Sequence, residues 1–71
     1  MKIYYAYSDN YDSEGFYDDE KDLITFWSLN DANFRIEYMN PLFQRLGVEI
    51  ENADEQLQDR FERFLEVEYN L

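Results

Sequence analysis

The sequence predicts an α+β domain: a small antiparallel sheet of about three strands packed against a short helix and a longer C-terminal amphipathic helix, both on one face. Three observations carry this. Aromatic and β-branched residues alternate near the N-terminus. A Pro-to-Gly segment at 40–47 has the boundaries of a short helix, and residues 52–70 carry an apolar stripe at helical spacing. With 71 residues the chain forms a single domain, 1–71.

"KIYYAYS" (2–8) alternates Ile3, Tyr5 and Tyr7 on one face, a strand pattern. "DSEG" (12–15) is a turn signal, with Gly15 free to take a positive φ. "DLITFWS" (22–28) is apolar on both faces and is expected to be a central strand. "NDAN" (30–33) has loop chemistry, and "FRIEY" (34–38) alternates Phe34, Ile36 and Tyr38 against Arg35 and Glu37, so 22–28 and 34–38 form a hairpin. The competing reading of 31–39 is a helix capped by Ser28 or Asn30.

"NPLFQRLG" (40–47) supplies Asn40 as N-cap, Pro41 at the first helical position and Gly47 as terminator. "VEIE" (48–51) is a connector. In "NADEQLQDRFERFLEVEYN" (52–70), Asn52 caps and Glu55 completes a capping box, while Ala53, Leu57, Phe61, Phe64 and Leu65 make one buried face.

Charge is the outlying property. Seventeen acids face six bases, a net charge of −11. Residues 9–22 carry seven acids and Lys21, and residues 49–68 carry eight acids with Arg60 and Arg63. Two acidic blocks of equal net charge therefore flank a near-neutral aromatic middle. Such a balance repels nucleic acid and anionic membranes and attracts basic surfaces. Six Phe, seven Tyr and one Trp supply a core, which acidic disordered segments lack.

The chain holds no Cys and no His, no G-x-S-x-G and no phosphate-cradling glycine loop, so neither an enzyme nor a cofactor is expected. The N-terminus has no apolar signal-peptide core, and no segment approaches the length of a membrane span; a cytoplasmic protein is expected. Read as a calcium loop from Asn10, "NYDSEGFYDDEK" places Asn10, Asp12 and Glu14 at positions 1, 3 and 5, Gly15 at 6 and Asp18 at 9. Position 12, which needs a bidentate Glu, is Lys21.

On the last helix Glu55, Asp59, Glu62 and Glu66 are spaced 4, 3 and 4, a strip about 60° wide and about 16 Å long opposite the apolar face. A rigid row of carboxylates resembles the row of phosphates along a nucleic-acid strand. In the first block Asp12, Glu14, Asp18, Asp19 and Glu20 are interleaved with Tyr11 and Tyr17. There a partner's Arg can stack on a ring and pair with a carboxylate at once.

Small size, an aromatic core, absent cofactor chemistry and a dense acidic surface together resemble the small phage- or plasmid-borne inhibitors that imitate DNA, anti-CRISPR and antirestriction proteins among them. The resemblance is of character over the whole chain and rests on no motif. It implies an inhibitor that binds the basic nucleic-acid-binding surface of a DNA-processing or defence protein, without itself binding nucleic acid or membrane, in the host cytoplasm. The contacts would be Asp12, Glu14, Asp18, Asp19, Glu20, Glu55, Asp59, Glu62 and Glu66, with Tyr11 and Tyr17. One alternative is an acidic protein–protein adaptor with aromatic hot spots at Tyr11 and Phe16; a second is a calcium-binding module. An exposed sheet edge or aromatic face would also support a homodimer.

Overall fold

In the computed structural model, which describes residues 1–69, four strands form one mixed sheet in the order β3-β2-β1-β4. β1 (Lys2–Ser8) forms where the alternation predicts it. Ile3 and Tyr5 turn to one face of the sheet, Tyr4 and Ala6 to the other, and both faces are covered.

β2 (Ser13–Tyr17) runs antiparallel to β1, and all five of its residues are buried. The first acidic block therefore contains a central strand, and the turn expected at 12–15 lies at 9–12 instead. Gly15 is used for close approach and not for turning. A Cβ there would lie 2.7 Å from the Thr25 carbonyl oxygen and 2.8 Å from the Phe26 Cβ. Asp12 (φ 48°) and Lys21 (φ 63°) take left-handed conformations in the turns before and after β2.

β3 (Leu23–Ser28) pairs antiparallel with β2, with an irregularity that takes Ile24 out of register. It is an edge strand, not the central one its composition predicts. Helical structure covers both faces of the sheet, so even an edge strand is apolar on both sides.

The strand expected at 34–38 is helical. A 3-10 turn (Leu29–Asp31) leads into α1 (Ala32–Phe34), a π-helical stretch (Arg35–Met39) and α2 (Asn40–Arg45). The alternation of Phe34, Ile36 and Tyr38 misled because Phe34 and Tyr38 also match a helical i,i+4 pair. Their rings stand 5.7 Å apart, and Phe34 stacks edge-on against Trp27 at 5.2 Å. Asn40 is not a cap but lies inside this continuous segment. Pro41 has no N–H to continue the ladder, in keeping with the wider π turn just before it. Gly47 (φ 71°) ends the segment as expected. Its N–H donates to the Gln44 carbonyl at 3.1 Å and that of Val48 to the Phe43 carbonyl at 2.9 Å, the paired bonds of a Schellman motif.

The predicted connector is β4 (Glu49–Asn52), parallel to β1. α3 (Glu55–Arg63) follows and continues as a π-helical turn, Phe64–Glu68. Its cap is Asp54, whose carboxylate accepts the Leu57 N–H at 2.9 Å, and not Asn52, which β4 consumes. The last residue of the predicted helix, Asn70, lies outside the described residues.

Leu57, Phe61 and Leu65 are buried against Ala6 and Tyr17, with Ala53 and Phe64 partly buried beside them, as the stripe predicts. Phe43 and Met39 pack on the opposite face, against Ile3, Phe16, Tyr5 and Trp27. The two helices thus sandwich the sheet; they do not share one face of it.

Candidate functional site: a surface of unpaired carboxylates

Acidic side chains dominate the surface because little else neutralises them. Of the seventeen carboxylates, fourteen are exposed, Asp18 and Glu62 are half-buried, and Glu14 is buried. Among the described residues two ion pairs form: Lys2 Nζ with Glu51 at 2.8 Å and Arg35 Nε with Glu14 at 3.0 Å.

β2 splits the first block into two groups. Asp9 and Asp12 lie in the turn before it, and Asp18, Asp19, Glu20 and Asp22 lie in the turn after it. Six strand steps separate Asp12 from Asp18, about 20 Å. α3 lies across the sheet between these two ends. The cap residue Asp54 lines a small cleft with Lys21, and Arg60, in the second turn of the helix, donates to the Lys21 carbonyl. Towards the other turn, Gln58 accepts the Tyr7 N–H at 2.8 Å, and one helical turn on, Glu62 accepts from Ser8 Oγ at 2.8 Å and from Asn10 Nδ2 at 2.9 Å. Beyond that, Glu62 and Glu66 both act on Tyr11. The helical acids therefore bridge the two acidic turns.

Two residues outside the predicted set extend this band. Glu49 and Glu51 on β4 pair in register with Lys2 and Tyr4, which puts them on the α3 side of the sheet. Asp19 reaches the same corner, accepting the Lys2 N–H at 2.6 Å. The signal for these residues was present: Val48, Glu49, Ile50 and Glu51 alternate as a strand does.

No family model, curated protein or solved structure matches this chain.

Three predicted contact residues are placed differently from the expectation. Glu14 has no exposed surface. One of its carboxylate oxygens accepts from Tyr5 Oη at 2.7 Å and Arg35 Nε at 3.0 Å, and the other accepts from Trp27 Nε1 at 2.7 Å. A strand position facing α1 and the π stretch leaves it inside, where these three donors satisfy it. Tyr17 is 2 % exposed and belongs to the core against Phe61, with Arg60 over its ring at 5.4 Å. Tyr11 is half-buried against the same core. Its phenol is raised above the usual range by desolvation and then by the Glu66 and Glu62 charges.

Of the remaining predicted contacts, Asp12, Asp19, Glu20, Glu55, Asp59 and Glu66 are exposed, and Asp18 and Glu62 are half-buried, Asp18 committed to hydrogen bonds within its own turn and Glu62 to bonds from Ser8 and Asn10. Asp18 accepts the N–H groups of Glu20 and Asp22, which shapes the second turn. Glu66 lies in the π-helical turn, where the α-helical step no longer sets its direction.

The same geometry bears on the alternatives. The segment 10–21 is a strand between two turns and not a ligand loop, and its Glu14 is occupied by Tyr5, Trp27 and Arg35. Phe16 is fully buried, so it displays nothing to an adaptor's partner. No helix among the described residues is long and apolar enough to cross a membrane.

Proposed function

We propose that this protein is a cytoplasmic inhibitor that occupies the basic nucleic-acid-binding surface of a DNA-processing or defence protein, such as a CRISPR–Cas effector or a restriction enzyme. The single observation that carries this reading is the carboxylate band from the Asp18–Asp22 turn, along Glu49, Glu51, Glu55 and Asp59, to Glu62 and the Asp9–Asp12 turn, in which Glu51 alone forms an ion pair among the described residues. Carboxylates held at strand and helix spacing offer a partner's Lys and Arg a fixed lattice of acceptors, as phosphates do. The longest dimension of the molecule is 33 Å, about one turn of duplex DNA, so the ligand displaced would be at most about ten base pairs long. The protein acts as a ligand, and the chemistry it blocks belongs to its target.

The test is affinity capture from a host lysate at low salt, with and without competing duplex DNA. Capture of a nucleic-acid-binding enzyme that DNA displaces supports the reading; capture that DNA leaves untouched favours an adaptor. Affinity for that target should fall at least about tenfold as salt rises from about 50 to about 200 mM. Glu55→Lys with Asp59→Lys should weaken binding more than Asp31→Lys with Glu37→Lys, which makes the same charge change away from the band. Equal losses from both pairs would mean that net charge alone, and not the band, is recognised.

A further inference from the structure

The two edges of the sheet differ in a way the acidic band does not explain. β4 carries Glu49 and Glu51, both exposed, with Lys2 paired to one of them, which is how natural edges discourage further pairing. β3 carries no charged side chain, and its irregularity at Ile24 is the feature that departs from a regular edge. Residues 23–30, Leu-Ile-Thr-Phe-Trp-Ser-Leu-Asn, are the longest stretch of this chain without a charged side chain, and they hold no proline. Ile24 at that edge is 46 % exposed.

Aromatic side chains continue past the edge on both faces. On one face, Trp27, Phe34 and Tyr38 line an open groove of about 520 Å³ beside Thr25 and Phe26. On the other, Phe64 and Val67 line a second groove next to Tyr17 and Leu23, together with the charged Arg60, Arg63 and Glu68. Phe34, Tyr38 and Val67 are 43 %, 63 % and 68 % exposed.

We infer that β3 is a homodimer edge: a second copy of this chain adds its own β3 in antiparallel register, extending two four-stranded sheets into one of eight strands. The charge pattern selects this occupant. A cationic segment, which the rest of the surface attracts, finds no carboxylate on residues 23–30 to pair with. An uncharged β-forming strip matches another uncharged β-forming strip, and a two-fold axis makes the strip complementary to itself. In a chain of net charge −11, the edge strand itself adds no charge of its own to such a contact. Asp31 and Glu37 also line the larger groove and still repel across the pair.

This dimer is independent of the proposed inhibition, and salt separates the two. Screening weakens binding to a basic target but strengthens association between like-charged copies.

Sedimentation equilibrium of the full chain tests the inference. At about 100 μM protein, where a micromolar interface is filled, the wild type should be dimeric, and more so at about 0.5 M salt than at low salt. Ile24→Lys puts a charge on the exposed edge and should shift the dissociation constant at least about tenfold towards monomer, with an unchanged circular dichroism spectrum. Tyr38→Lys, on the exposed helical side of the groove, should do the same should the first variant fold poorly. Ile50→Lys on the β4 edge should leave the dimer intact. A wild type that stays monomeric at high salt overturns the inference, as does a dimer that survives both Ile24→Lys and Tyr38→Lys or is broken by Ile50→Lys.

Discussion

Glu14 sits between two aromatic donors and a guanidinium, all of its polar capacity turned inward. The sequence offered it as one acid among seven in a surface run, and nothing in its neighbours in the chain separates it from Asp12 or Asp18. What separates it is the strand: β2 places residue 14 on the face that α1 and the π stretch cover, and Tyr5, Trp27 and Arg35 come from three other elements. Removing one partner of a buried ion pair leaves the others unsatisfied. Glu14→Ala should therefore cost about 3 kcal/mol, measured as a lower urea midpoint at unchanged slope. A loss within the surface range of about 0.5 kcal/mol would show that Glu14 is not held as described.

Tyr5 records the same network from the other side. Burial first, and then its hydrogen bond to Glu14, push its phenol up to about 12 from the usual 10. The folded state thus holds this proton more tightly than the unfolded chain. The stability it contributes is complete below pH 10 and is lost as pH rises towards 12. Denaturation midpoints should fall across that window, and Tyr5→Phe should flatten the fall. An unchanged alkaline slope in the variant would remove Tyr5 from the account.

At the scale of elements, α3 shows where local pattern suffices. Its apolar stripe is strong enough that Leu57, Phe61 and Leu65 are buried as their spacing requires. Its start was less legible, because Asn52 and Asp54 are both good caps in sequence. Pairing of Asn52 with Tyr5 in the sheet removes the first and leaves the second. Asp54→Ala should cost about 1 kcal/mol, and Asn52→Ala less than about half of that, by the same chemical denaturation. The reverse order would put the cap back at Asn52. The segment 29–45 shows the opposite case. Phe34, Ile36 and Tyr38 fit a strand by alternation, yet Phe34 on Trp27 and Arg35 on Glu14 hold a helix, and both contacts cross from other parts of the chain.

For the whole molecule, most carboxylates face water and form no ion pair among the described residues, so repulsion among them opposes folding. Added salt should stabilise the protein: the urea midpoint should rise between about 50 mM and about 0.5 M sodium chloride, as the Debye length shortens to a few ångströms. A midpoint that falls would mean that attractive pairs outweigh the repulsion. The acidic band itself was half legible. Glu55 and Asp59 were predictable from helical spacing alone. The joining of the band to both turns, and the addition of Glu49 and Glu51, needed the sheet.

By itself the sequence determined the α+β class, β1, the buried face of α3, the stop at Gly47 and the excess of negative charge. Each follows from short-range periodicity, local backbone preference or simple composition. Only the tertiary structure decided that β2 runs through the acidic block, that 34–38 is helical, that β4 exists and lies beside β1, and that the helices take opposite faces. Those outcomes depend on which residues meet across the chain, and a carboxylate carries no mark in sequence of whether three donors will converge on it.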